Sequence, residues 1–77
     1  MSQSTKTAII VGSFTEMGLE ASRVFKQAGF HIVGIDKDPN KISDVSSLDE
    51  MLIGDPNDLI STVKTIHKES IVVDCQE

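Results

Sequence analysis

Residues 9–25 read IIVGSFTEMGLEASRVF, an apolar run that passes through two glycines into a helical pattern. Thr7-Ala8-Ile9-Ile10-Val11 is apolar and β-branched with no polar alternation, the signature of a strand covered on both faces. Beyond it Met17, Ala21, Val24, Phe25 and Ala28 recur at helical spacing and predict one apolar helix face. Gly29 follows as the residue that closes such a helix in the left-handed conformation. Strand, glycine turn and helix follow directly from this pattern. The chemistry of the turn from Gly12 to Gly18 stays open, as either a phosphate cradle or a plain tight reversal.

Outward from this unit lie three more apolar runs. Phe30 to Ile35 ends in Asp36, Met51 to Ile53 ends in Gly54-Asp55, and Ser70 to Asp74 is rich in β-branched residues. Each has the length and character of a strand. Between the last two, Leu59, Ile60, Val63, Ile66 and His67 mark a second amphipathic helix. Asp55 can cap its start, with Pro56 at the first helical position, where a missing N–H costs nothing. DPNKI at 38–42 repeats the helix-start grammar of DPNDL at 55–59. It predicts only a short helix burying Ile42, Val45 and Leu48. Residues 43–50 carry the weakest structural signal, and Asp49-Glu50 reads as solvated loop.

Strands alternating with helices need crossover connections, and hence a parallel sheet. Right-handed crossovers then give an α/β fold, a half-size doubly wound domain over residues 1–77 with a flexible lead at 1–5. It would hold about four strands in order 3-2-1-4, with helices on both faces. The fourth strand, with Ile71, Val72 and Val73, becomes a bare apolar edge, and bare edges attract pairing. A second copy of the chain, or another protein, is the partner expected there.

With 77 residues, such a domain buries only about 60% of its unfolded surface, which makes it marginal alone and favours self-association. The net charge is −5, from 12 acidic against 7 basic residues, and the basic ones are scattered. That distribution offers no footprint for nucleic acid and disfavours anionic membrane surfaces. The single cysteine, Cys75, excludes an internal disulfide. No apolar run approaches the roughly 20 residues of a membrane span, and MSQSTKT lacks signal-peptide features. A soluble, cytoplasmic protein is expected. His31 and His67 lack partners at metal-ligand spacing, so no metal site is read from the sequence. Cys75 has no histidine placed near it by sequence and reads as structural.

Gly12 and Gly18 are six apart, whereas the outer glycines of G-x-G-x-x-G are five apart. The wider spacing resembles the short-chain dehydrogenase/reductase family, whose turn reads T-G-x-x-x-G-x-G. The family's first and last glycines match Gly12 and Gly18, its middle glycine falls on Glu16, and its threonine falls on Val11. The resemblance runs along nearly the whole chain but reaches only the family's first half. The family's NNAG stretch falls near Asp74-Cys75-Gln76-Glu77 and does not match. Its catalytic Y-x-x-x-K cannot be built from a chain without tyrosine, so no catalytic residue is assigned.

What the resemblance implies is a Rossmann-like site for NAD or a simpler adenine nucleotide. Gly12, Ser13, Thr15 and Gly18 would shape the phosphate turn, with hydroxyls and helix N–H groups as donors. Asp36 would hold the ribose and repel the extra phosphate of NADP, and Asp55 would flank the adenine. Both aspartates also have structural readings, Asp36 as a turn former and Asp55 as a helix cap. Glu16 sets a carboxylate where a diphosphate would lie, although the helix dipole welcomes it. One reading is a non-catalytic module for the ADP-ribose part of NAD or an adenine nucleotide. The other is a ligand-free interaction or assembly protein that keeps the dehydrogenase-like fold. A separately encoded half of a larger oxidoreductase would need a companion chain carrying tyrosine and lysine.

Overall fold

A computed structural model describes residues 6–38 and 46–76. The elements run β1 (Thr7–Val11), α1 (Glu16–Gln27), β2 (His31–Asp36), β3 (Glu50–Ile53), α2 (Pro56–Ile66) and β4 (Ser70–Asp74). The strands form one parallel sheet in the order β3-β2-β1-β4, the topology expected from the alternation of elements. Thr7 pairs with both His31 and Ser70, and Val11 with both Ile35 and Asp74. The three strands therefore end together, and their C-terminal ends share one rim. The lead at 1–5, and Ile42 and Val45 of the short helix expected after Asp38, lie outside the described residues. Among the described residues no helix is long and apolar enough to cross a membrane.

All five residues of β1 are buried, because a strand flanks it on each side and a helix covers each face. Strand periodicity sorts its side chains between two cores. Ile9 and Val11 pack with Val33, Ile35 and Val63, supported by Leu52, Leu59 and Ile60 of β3 and α2. Ala8 and Ile10 pack with Ile32 and Cys75, supported by Ala21 and Phe25 of α1 and by Phe30, Leu48 and Val73. The Phe25 and Phe30 rings meet edge to face at 5.1 Å, a favoured aromatic geometry that ties the end of α1 to the start of β2.

α1 sits rotated from the stripe its hydropathy predicts. Gly18 and Ser22 are its buried residues, while Met17 and Val24 are 65% and 52% exposed. Small residues let the helix approach the sheet closely, and the Ser22 hydroxyl donates to the Gly18 carbonyl at 2.8 Å. Ile66 of α2 is likewise 69% exposed, so only Leu59, Ile60 and Val63 of its expected stripe reach the core. The start of α2 matches expectation: the Asp55 carboxylate accepts the Asn57 N–H at 2.9 Å, with Pro56 in the first turn.

The tightest approach lies at Gly18, where an added Cβ would stand 2.1 Å from the Gly12 carbonyl oxygen. At Gly29, φ is +93° and an added Cβ would meet nothing within 4 Å. Gly18→Ala should therefore cost roughly 2–3 kcal/mol of overpacking, well above the ~1 kcal/mol helix-propensity gain. Gly29→Ala should cost only the backbone penalty of about 1 kcal/mol. Thermal melts should place Gly18→Ala below Gly29→Ala by up to roughly 8 °C. Equal losses would mean that the Gly18 contact does not limit the fold.

Candidate functional site

In open parallel sheets ligands bind outside the C-terminal ends of the strands, and here the glycine turn lies on that rim. The chain leaves β1 through Gly12 at φ +78°, a conformation that favours glycine. A Cβ there would stand 2.9 Å from the Cys75 backbone, so the turn is pressed against the segment following β4. Thr15 caps α1, its Oγ1 accepting the Gly18 N–H at 2.9 Å. The same hydroxyl donates toward the carbonyls of Gly12 at 2.8 Å and Cys75 at 3.2 Å. Its one proton is thus committed to the backbone.

Ser13 is fully buried against Gly34, and its Oγ has no hydrogen-bond partner among the described residues. The Ser13 hydroxyl therefore lies beneath the surface, while that of Thr15, a partly exposed residue, is already bonded to backbone. The amides of Gly12 and Ser13 donate to the Ile35 carbonyl, that of Thr15 to the Gly12 carbonyl, and that of Phe14 to Asp36. The Glu16 and Met17 amides make none of these bonds, and they remain as donors in the first turn of α1. The Glu16 residue is exposed, where its charge complements the helix dipole.

Asp36 ends β2 and is 8% exposed. Its Oδ2 accepts the Phe14 N–H at 3.0 Å and its Oδ1 the Asp38 N–H at 3.1 Å. Its carbonyl accepts the Gly54 N–H at 3.0 Å. One residue thus joins the turn after β1 to the ends of β2 and β3. Each carboxylate oxygen keeps a second lone pair, so a hydroxyl can be accepted without breaking either bond. Beside it lies an open cleft of about 430 Å³ lined by Lys37, Gly54, Asp55, Pro56, Asn57 and Gln76, within the size range of small-molecule sites. Its lining residues include one lysine, one aspartate, one asparagine and one glutamine, from the segments that follow β2, β3 and β4. The fold thus gathers Asp55 and the backbone neighbour of Asp36 at one cleft, and leaves Ser13 beneath the surface.

Cys75 is buried in the α1-side core. Burial, and then the charge of Asp74, push its thiol up from the ordinary value.

The opposite rim corrects the sequence reading of Asp49-Glu50 as solvated loop. The Asp49 carboxylate binds the Lys26 ammonium and accepts the Ile32 N–H at 2.8 Å. Glu50 opens β3, its Oε2 lying 2.6 Å from His31 Nε2 and 3.2 Å from His67 Nε2. The histidines that lacked sequence-spaced partners thus share one. The strand register explains it: Val33 pairs with Glu50, so His31 stands diagonally across on the same face, the face that α2 covers. No local motif signals an encounter between residues this far apart in sequence.

Lys26 first, then the Ile32 N–H, hold the Asp49 carboxyl below its ordinary value. A carboxyl depressed in the folded state contributes stability above its unfolded pKa and loses it as pH falls through the folded one. Asp49→Asn should therefore lower stability at neutral pH and flatten the acid limb below about pH 4, read from urea midpoints across the acid range. Parallel acid limbs in both proteins would contradict this.

No protein-family model matches the chain, and no curated protein matches it, so the functional reading rests on the residues of the rim itself.

Proposed function

We propose that the protein is a small non-catalytic nucleotide-binding module, taking the ADP-ribose part of NAD or an adenine nucleotide across the C-terminal rim. The observation that carries this reading is the cleft walled by Lys37, Asp55 and Asn57, with Asp36 preceding Lys37 in the chain and the start of α1 on the same rim. The base occupies the cleft, and a ribose hydroxyl donates to Asp36. The diphosphate meets the Glu16 and Met17 amides at the positive end of α1. A carboxylate at Glu16 opposes the diphosphate by on the order of 1 kcal/mol in water-like surroundings, which weakens binding without abolishing it. The charge of Asp36 disfavours a 2′-phosphate, so NAD is preferred to NADP. The resemblance of the Gly12–Gly18 turn to short-chain dehydrogenases supports the reading, and the absence of tyrosine restricts it to binding.

Calorimetric titration with NAD, NADP, ATP and ADP-ribose tests it. Micromolar binding of NAD or ADP-ribose is expected, with NADP weaker. Asn57→Trp fills the cleft from an exposed position and should weaken binding at least about tenfold, or ~1.4 kcal/mol, with no loss of thermal stability. Asp36→Ala is the poorer probe, because it also frees the Phe14 amide. Absence of heat with all four ligands would overturn the reading.

A second reading, an assembly protein, is favoured by the edge strand. Ile71 and Val72 of β4 are 41% and 39% exposed, on opposite faces of a strand whose outer side is unpaired among the described residues. Edge-to-edge pairing of two copies about a two-fold axis would cover that strand with itself. This reading predicts a stable dimer without nucleotide binding, and dissociation by Val72→Lys, both read from mass in solution. Glu16→Gly separates the two. It should create binding where none existed under the second reading, and change affinity only a few-fold under the first.

A further inference from the structure

We propose that His31, Glu50 and His67 form a site for one divalent transition-metal ion, zinc by preference, at the N-terminal rim of the sheet. They are the chain's two histidines and the first residue of β3, brought together from β2, β3 and the end of α2. Their candidate ligand atoms all lie within 4.8 Å of one another. Two of the separations, 2.6 and 3.2 Å from Glu50 Oε2 to the imidazole Nε2 atoms, fall just short of the figure that zinc requires. Bonds of 2.0–2.2 Å in a tetrahedron set ligand atoms about 3.3 Å apart. Closing the remaining gap needs only a shift of partly exposed rings. The side chains of His31 and His67 are 31% and 25% exposed, and the rings lie 5.1 Å apart at a tilt of 33°.

The donor set is chemically selective. Two imidazoles and one carboxylate suit zinc and its neighbours rather than magnesium or calcium, which take oxygen ligands. Binding through Nε2 leaves each imidazole proton on Nδ1. For His31 that nitrogen faces Asp49 Oδ2 at 3.7 Å, the kind of outer carboxylate that fixes a metal-bound imidazole in its tautomer. His67 follows the last turn of α2, whose dipole presents partial negative charge to a cation. Three protein ligands leave the fourth position to water.

The ion would join three elements of a small domain whose third strand, among the described residues, is paired on one side only. Small folds commonly gain stability from such staples. Both imidazoles already share one carboxylate oxygen of Glu50.

Zinc chloride titrated into the intact chain, with cobalt(II) as a spectroscopic substitute, tests the proposal. One ion per chain should bind, and zinc should raise the thermal midpoint. His31→Ala, His67→Ala and Glu50→Gln should each cost more affinity than the roughly 10–100-fold lost with an outer-shell partner, which is the loss expected for Asp49→Asn. Cys75→Ser should leave binding unchanged, and the cobalt spectrum should lack a thiolate charge-transfer band. If a histidine variant fails to fold, the side-chain ¹⁵N resonances of both wild-type imidazoles must still shift with zinc. Absence of zinc binding, zinc binding undiminished in the histidine variants, a thiolate band, or unshifted imidazole resonances would each overturn the proposal. None of these outcomes bears on the nucleotide reading, whose residues lie on the other rim.

Discussion

The structure depends on how closely the first turn of α1 rests on the end of β1. With Gly18 against the Gly12 carbonyl, the Thr15 hydroxyl falls between the carbonyls of Gly12 and Cys75, and the turn, the helix and the segment after β4 are fixed together. Asp36 completes the arrangement by holding the Phe14 amide from the end of β2. Each such bond contributes about 1 kcal/mol net, but an unpaired buried group costs more than a made bond gives, so the set is mutually enforcing. The two glycines are needed for this junction whether or not a ligand is bound. A glycine motif of this kind therefore specifies a junction first, and a binding site only through what surrounds it.

This separation explains what the sequence disclosed. β1 was legible because a strand buried on both faces has no polar residue to confuse its pattern, and the strand order followed from the alternation of elements. The start of α2 was legible because Asp55-Pro56 is local chemistry. The buried face of α1 was not. Hydropathy gives weight to Met17 and Val24, whereas close packing selects Gly18 and Ser22, whose small size carries no hydrophobic signal. Asp36 was placed correctly on the rim, but its two backbone bonds depend on the path of the Gly12–Thr15 turn. Ser13 was legible as a residue of the turn and illegible as a buried one, since its orientation depends on the absence of a side chain at Gly34. The cluster of His31, Glu50 and His67 was invisible, because three elements meet there only after the register of β2 against β3 is set.

The two rims of the sheet also differ in their electrostatics. In a parallel α/β sheet the crossover helices run opposite to the strands, so helix N-termini gather at the C-terminal ends of the strands and helix C-termini at the other rim. The first rim carries partial positive charge and the second partial negative charge. The turn, with its Glu16 and Met17 amides, lies where an anion is stabilised, and the imidazole–carboxylate cluster lies where a cation is. Both placements follow from chain direction before any side chain is chosen.

β2 spans the two rims, with His31 at one end and Asp36 at the other. Its six residues cover about 17 Å, beyond the ~8 Å over which exposed charges interact at physiological salt. Direct electrostatic coupling between the ends is therefore weak. The strand is buried along almost its whole length, however, so both ends are anchored in the same core and neither can loosen alone. An ion at one rim and a nucleotide at the other would each select the folded chain over the unfolded one, adding stability by mass action rather than through contact. In a domain whose net stability is a small difference between large opposing terms, either ligand would raise the folded population without being required for the other's site.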